Sequence, residues 1–384
     1  MTRQIPFGKP IIGDEERRAV AEVLEGTTLV HGPRVKRFEA DFAAYAGAPH
    51  ALAVGSCTAG LHLAWFDLGI GPGDEVIVPA QTHTATAHAV EYTGARPVFV
   101  DCDPQTGNID PEGVAAAVGP RTRGICVVHY LGLPVDMDRI NAIAAPRGLF
   151  VLEDCALSIG AKYKGVHTGL LGDAGVFSFY PVKHMTTAEG GMFITRHADL
   201  AERIGKKRAF GVDRVVGERK QPGVYDVVCL GYNYRMNELE AALGVEQLRR
   251  MDGFLARRRE NYLRLELGLG RLEGLRVLAS AGGDEAQGSF YCLSMVLDEA
   301  LRPHRADLVE KLSALGVGTS VYYPRPVPHM SYYREKYGFG EDSFPHAAAI
   351  SYGSVALPVG PHLGPEDMDY IVDSVKHAIS EVRG

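Results

Sequence analysis

The sequence predicts an open α/β fold, a mostly parallel sheet covered by helices on both faces, followed by a smaller α+β unit. Two observations predict it. Short runs apolar on both faces alternate with amphipathic stretches over the first two-thirds of the 384 residues, as buried parallel strands and their crossover helices do. The strand, helix, strand spacing then suits right-handed crossovers.

The elements follow in order. Ala51-Leu52-Ala53-Val54 is a strand that breaks at Gly55-Ser56-Cys57-Thr58 and leads into a helix over 59–68. Glu75-Val76-Ile77-Val78-Pro79 is the next strand, followed by a helix over 84–92 and the strand Pro97-Val98-Phe99-Val100-Asp101. Gly124-Ile125-Cys126-Val127-Val128-His129 and Leu149-Phe150-Val151-Leu152-Glu153-Asp154 are two more. Val176-Phe177-Ser178-Phe179 and Gly191-Met192-Phe193-Ile194-Thr195 form a closer pair. One long helix is predicted over 237–259, ending in Arg257-Arg258-Arg259, a run read as a solvated face. Beyond it the character changes to Leu-rich helices, a strand over 290–296 and a helix over 306–315. The division expected is a large domain over 1–255 and a small one over 256–384.

Composition excludes several classes. With 46% hydrophobic and 23% charged residues, the chain is neither disordered nor fibrous. A net charge of −7 argues against bulk binding to nucleic acid or anionic membranes. The longest apolar runs, such as Val76-Ile77-Val78 and Cys126-Val127-Val128, fall far short of the roughly 20 residues of a spanning helix. Residues 1–10 carry no apolar signal region, so a cytoplasmic location is expected. The six cysteines (57, 102, 126, 155, 229 and 292) are scattered without a CxxC pair. They read as reduced core or site-lining thiols, with no zinc site.

Ligands of open α/β sheets lie beyond the C-terminal strand ends, and four reactive sets fall there. Gly55-Ser56-Cys57-Thr58 offers helix N-terminal amides and hydroxyls to a phosphate; it serves equally as a tight turn with Ser56 or Thr58 as N-cap. Glu153-Asp154 ends a buried strand, and an acid there needs a partner. A cationic heterocycle nitrogen would be one, a cap or internal ion pair another. Lys183 follows Phe177-Ser178-Phe179-Tyr180-Pro181-Val182 in apolar surroundings, which lower a lysine pKa and free the amine as a nucleophile. Alone, it would be read as a snorkelling surface lysine. Glu189-Gly190-Gly191 beyond it permits close backbone approach. His83, in Gln81-Thr82-His83-Thr84, is placed to lie over an aromatic ring or to cap the next helix. Together they supply a phosphate cradle, a ring stacker, an acid for a ring nitrogen and a lysine, the set that pyridoxal phosphate requires.

From about Pro10 to Val372 the chain also resembles the DegT/StrS-type pyridoxal-phosphate enzymes of fold type I, chiefly aminotransferases of nucleotide-linked keto-sugars. The resemblance rests on the order of short motifs. These are Gly32-Pro33 with Phe38-Glu39, Gly55 to Leu61, Gly71-Pro72-Gly73-Asp74-Glu75-Val76, Glu153-Asp154 and Gly172-Asp173. Phe177-Ser178-Phe179 through Lys183 to Gly190-Gly191, Gly231-Tyr232-Asn233-Tyr234-Arg235-Met236, Tyr323-Pro324 and Pro328-His329 follow.

The resemblance implies that Lys183 is the Schiff-base and proton-transfer residue and that Asp154 pairs with the pyridinium nitrogen. His83 would stack on the ring. The Cys57 and Thr58 amides and the Ser178 hydroxyl would bind the phosphate, joined by Asn233 from a neighbouring subunit, so a homodimer with shared sites is implied. Tyr323 and His329 lie where relatives contact the sugar nucleotide. Arg34, Lys36, Arg208, Arg325 and His329 are cations for its diphosphate or ordinary surface charges.

One departure stands out. Where the family carries Asp-x-x-Gln or Asp-x-x-His, with a polar bond to the cofactor 3-oxygen, this chain has Asp154-Cys155-Ala156-Leu157. In the dehydratase branch a histidine replaces the lysine; the Phe177-Ser178-Phe179 anchor sets the register at Lys183 and not at His184. The implied activity is ping-pong amino transfer from an amino acid, expected to be L-glutamate, to a ketone at C3 or C4 of a nucleotide-linked deoxy-sugar. A keto-cyclitol acceptor, a dehydration and a non-catalytic sensor are the competing expectations.

Overall fold

The computed structural model describes residues 3–213 and 224–383. Helices α1 (Asp14–Glu25) and α2 (Pro33–Ala46) come first. The strands and helices of the large sheet follow: β1 (His50–Val54), α3 (Cys57–Asp67), β2 (Glu75–Pro79), α4 (Thr84–Glu91), β3 (Arg96–Val100), α5 (Pro111–Ala117) and β4 (Thr122–Val128). Next are α6 (Met137–Ala144), β5 (Phe150–Asp154), the short hairpin β6 (Lys162–Tyr163) and β7 (Val166–His167), then β8 (Ala174–Ser178), β9 (Gly191–Thr195) and α7 (Ala198–Lys207).

The seven-stranded sheet has the order β1-β9-β8-β5-β4-β2-β3. β3, β2, β4, β5 and β8 pair in parallel, and β9 runs antiparallel to both β8 and β1. The sheet is therefore mostly parallel, as its apolar runs predict, and the strand ends at Val54, Pro79, Val128, Asp154 and Ser178 share one edge. Helix α3 is buried on almost every side from Cys57 to Trp65, which explains why its sequence shows no polar face. Glycine at 191 lets α3 begin so close to the sheet. Its Cα lies between Val54 and Ser178 in the ladders, and a Cβ there would come within 2.7 Å of the Cys57 nitrogen. The Gly32-Pro33 motif opens α2, whose first amides are capped by the buried Glu238 carboxylate at 2.8–3.1 Å.

Two expectations are corrected beyond this sheet. The helix predicted over 237–259 is two helices, α8 (Glu238–Arg249) and α9 (Met251–Leu269). The chain turns at Arg250, whose guanidinium is held by Glu16 at 2.7 Å and by the Ile11 carbonyl. Nor is the arginine run wholly solvated. Arg257 pairs with Glu260 at the surface, but Arg258 is buried and donates to the Tyr291 carbonyl at 2.9 Å. A helical repeat carries every third or fourth residue inward, and position 258 takes that place.

Helix α9 leads into β10 (Leu275–Val277), β11 (Ala286–Gln287), β12 (Leu293–Leu297), α10 (Arg305–Ala314), α11 (Ser331–Tyr337), α12 (Pro345–Gly353), β13 (Ser354–Leu357) and α13 (Pro365–Arg383). The antiparallel sheet β10-β12-β13 packs with α9 and α13 around Tyr262, Leu265, Met295, Leu357, Ile371 and Val375. Ile5 is buried in this second core and forms a parallel bridge with Val317. Strand β12 starts at Leu293, three residues later than predicted, because Ser289 instead bonds the Leu157 and Gly132 carbonyls and the Tyr291 carbonyl is taken by Arg258. Among the described residues no helix is long and apolar enough to cross a membrane.

Candidate active site

A cavity of about 230 Å³ opens at the shared strand edge. Cys57 and Thr58 line it from the start of α3, His83 from the start of α4, Asp154 and Leu157 from the end of β5, and Ser178 from the end of β8. Lys183, Tyr180 and Glu189 come from the loop after β8, and Tyr323 from the segment between α10 and α11. Residues far apart in sequence meet because parallel strands present all their C-terminal loops on one side.

At the phosphate end, α-helix geometry leaves the first N–H groups without intrahelical acceptors. The Ser56 hydroxyl accepts from Ala59 at 3.1 Å and the Ser56 carbonyl from Gly60 at 3.2 Å. That leaves the amides of Cys57 and Thr58, both in the cavity wall, with Ser178 opposite. Burial pushes the Cys57 thiol well up, so it is a neutral wall and no nucleophile. Ser56 acts as N-cap and cradle entrance at once.

Asp154 is 4% exposed. Its Oδ2 accepts from the Thr86 hydroxyl at 2.8 Å, and Oδ1 from the Ala156 amide at 3.1 Å and the Cys57 thiol at 3.8 Å. Since Thr86 spends its proton on Asp154, the 2.8 Å contact with Thr82 is donated by Thr82. A carboxylate offers about four lone-pair sites, so one remains for a ring N–H. Sequence reading missed Thr86. The signal was Thr82 and Thr86 one helical turn apart across a strand end, which a buried acid elsewhere could use.

His83 both caps α4 and forms wall. Its Nδ1 accepts from the Ala85 amide at 3.1 Å, and its ring meets Tyr323 edge-on at 5.5 Å. Burial lowers its pKa, so the ring is neutral with its proton on Nε2. Burial likewise holds the Tyr323 phenol protonated.

Lys183 is presented by a loop closed on Phe179, whose N–H donates to Gly190 and whose carbonyl accepts from Thr187, both at 3.0 Å. Ala188 adopts a left-handed φ of 69° in this loop. Burial lowers the Lys183 pKa, with Asp154 opposing the shift. His184 points away from the cavity: its Nε2 donates to the Ser289 carbonyl at 2.8 Å, and its Nδ1 has no partner among the described residues. The lysine, not the histidine, therefore enters the site.

Three residues named from sequence lie elsewhere. His329 is buried behind the wall, its nitrogens bonded to the Tyr352 hydroxyl at 3.2 Å and the Ser343 carbonyl at 2.8 Å; a sugar contact would have to break one of these bonds. Arg325 is exposed and outside the cavity wall. Asn233 is also exposed and outside its own chain's cavity, its backbone bridged to Ala209. Among the diphosphate candidates, Arg208 is taken by Glu39 and the Ala53 carbonyl, both at 2.5 Å, and Arg34 by Glu22 at 2.6 Å.

Pyridoxal phosphate fits this donor set: two amides and a hydroxyl for its phosphate, a neutral imidazole, a fixed carboxylate and an amine without an ion pair among the described residues. Residues 10–376 match the DegT/DnrJ/EryC1/StrS aminotransferase family. The chain is 38% identical over 380 residues to the spore coat polysaccharide biosynthesis protein SpsC of Bacillus subtilis, covering 98% of this chain and 97% of that one. It superposes on the aminotransferase TlmJ from Streptoalloteichus hindustanus with a TM-score of 0.90 at 34% identity, covering 99% and 100% of the two chains. Spr1654 from Streptococcus pneumoniae, solved in PMP and PLP forms, gives TM-scores of 0.93 and 0.92 at 28% identity. Each form covers 99% of this chain and 100% of that one.

Proposed function

The chain belongs to the DegT/DnrJ/EryC1/StrS aminotransferase family, and from that premise we propose that it moves an amino group from L-glutamate to a keto group of a nucleotide-linked deoxy-sugar. It is a fold-type I, pyridoxal-phosphate-dependent sugar aminotransferase. The donor, the nucleotide and a cytoplasmic setting belong to the proposal.

Bound pyridoxal phosphate supplies an aldehyde carbon that joins to amines and a ring that draws electrons from the bond to be broken. The protein does the rest. The Cys57 and Thr58 amides and the Ser178 hydroxyl hold the phosphate at the positive end of α3. Asp154, held ready by Thr86 and Ala156, keeps the ring nitrogen protonated. His83 and Tyr323 wall the ring and exclude water. Lys183 Nζ, desolvated by burial, would hold the cofactor through its amine and would otherwise take up and return the migrating proton.

The observation carrying this reading is that Lys183 enters the cavity beside Asp154 while His184 faces away. It favours amino transfer over dehydration. Asn233 is proposed to reach the phosphate of a second copy. Its exposed position supports that, as do the exposed apolar residues Val224, Val228 and Leu230 nearby, 55–72% exposed.

The test is the visible spectrum of the protein with pyridoxal phosphate, before and after L-glutamate. A cofactor band that bleaches on adding donor, and is absent with Lys183→Ala, is the expected result. A normal turnover rate in Lys183→Ala would overturn the assignment. A band that survives L-glutamate would overturn the donor.

A further inference from the structure

Lys183 is held by an aromatic face and not by an acid. Its Nζ lies 5.4 Å from the centroid of the Tyr291 ring, and among the described residues it forms no ion pair. Tyr291 is 3% exposed and comes from the segment before β12. Its hydroxyl bonds that of Tyr322 at 2.7 Å, and the Tyr322 ring packs edge-on at 5.2 Å. Its carbonyl accepts from the buried Arg258, and the His184 ring leans on it at 5.5 Å. Two residues earlier, the Ser289 hydroxyl donates to the Leu157 carbonyl at 2.7 Å and its amide to the Gly132 carbonyl at 3.1 Å. The segment before β12 thus delivers one immobilised ring face to the lysine amine.

The other groups around Nζ are Asp154, Cys57, Cys292, His83 and His184. Burial keeps both thiols protonated and both imidazoles neutral. Asp154 is engaged by three donors, and its charge, which favours the ammonium, is present in every Tyr291 variant alike. The face of an aromatic ring attracts a cation without accepting a directed hydrogen bond from it. A lysine resting there is stabilised as ammonium yet stays free to swing.

We propose that Tyr291 is a positioning residue for Lys183: its ring face parks Nζ whenever the amine is not bonded to the cofactor and sets how readily that amine gives up its proton. This rests on Lys183 being the cofactor lysine.

The experiment is competitive labelling of the full chain, purified free of cofactor, with trace acetic anhydride across pH, Lys183 being read by peptide mass spectrometry. Tyr291→Phe keeps the face and is expected to label as wild type. Tyr291→Leu removes it and should lower the Lys183 pKa by about one unit. Should the leucine variant not fold, phenylalanine and its increasingly fluorinated forms at 291 keep the shape while draining the ring face. The pKa should then fall step by step. A pKa unmoved by Leu or by fluorination, or lowered as much by Phe as by Leu, overturns the proposal. Loss of the visible band in Lys183→Ala is measured beside it. A Lys183-independent band would instead sink the reading on which the proposal rests.

Discussion

Two carboxylates stand side by side at the end of β5, and strand alternation sends them to opposite faces of the sheet. Glu153 accepts from the amides of Gly169, Leu171 and Gly172 at 2.6–2.8 Å and from His129 at 2.8 Å. Its bonding capacity is spent on one loop and one imidazole. Asp154 holds three donors and keeps one direction open to the cavity. The pair teaches that a buried acid is structural or chemical according to whether its last lone pair faces protein or open space. Strand-end position alone does not decide it.

The largest effects should separate the pair. Asp154→Asn is expected to cut turnover by about 10²–10³-fold, the scale of losing one preorganised electrostatic partner, with the melting temperature nearly unchanged. Glu153→Gln should do the reverse. Glutamine keeps one acceptor oxygen and turns its NH2 on the two donors of the other, Leu171 and Gly172 or Gly169 and His129, at a cost of about 3 kcal/mol, read by denaturant titration, while the folded fraction keeps its turnover. Equal loss of activity in both would erase the distinction.

Between them in size lies the acid response of the Glu153 side. His167 accepts from the Gly160 amide at 2.9 Å, and burial pulls its pKa down from 6.5 to about 4. The folded value is the lower one, so the unfolded chain binds the proton first as pH falls. The stability contribution is whole above about 6.5 and drains away toward about 4, at no more than about 1.4 kcal/mol per pH unit. In His167→Gln the denaturation midpoint should depend less steeply on pH in that window.

On the Asp154 side, Thr86→Val removes a hydrogen bond to a charged group and keeps the shape. Cofactor affinity, measured by absorbance titration, should weaken roughly ten-fold. The smallest effect belongs to Leu157, which lines the cavity where the family has a polar residue. Leu157→Gln is expected to shift the cofactor band or its affinity by less than Thr86→Val does. An unchanged spectrum would show that position 157 is merely wall.

What the sequence made legible follows from these contrasts. Continuous apolar runs such as Cys126-Val127-Val128 mark strands buried on both faces, so the sheet could be read. Its C-terminal edge then gathered Cys57, His83, Asp154, Ser178 and Lys183 into one reading. Thr86 and Tyr291 escaped it. A threonine inside a helix and a tyrosine before a strand look ordinary until the fold brings an acid and a lysine to them. The turn at Arg250 was invisible for a similar reason, since its cause, Glu16, lies on a helix more than two hundred residues earlier. His329 carried a motif, but its neighbours Tyr352 and Ser343 decide where the ring points. Local pattern reports periodicity and turns; it does not report which distant partner claims a polar atom.

The stitching of Ile5 into the second core has a consequence for how the chain is made. Ile5 exchanges backbone bonds of 2.8 Å with Gly316 and Gly318, and Arg3 pairs with Asp367. Every strand of the large sheet has been synthesised by residue 195, whereas these partners emerge far later. The residues around Ile5 must therefore wait without these partners while the sheet assembles behind them. They dock only after residues 316–318 and Asp367 have emerged, so vectorial synthesis completes the second core by returning to a segment made before the first.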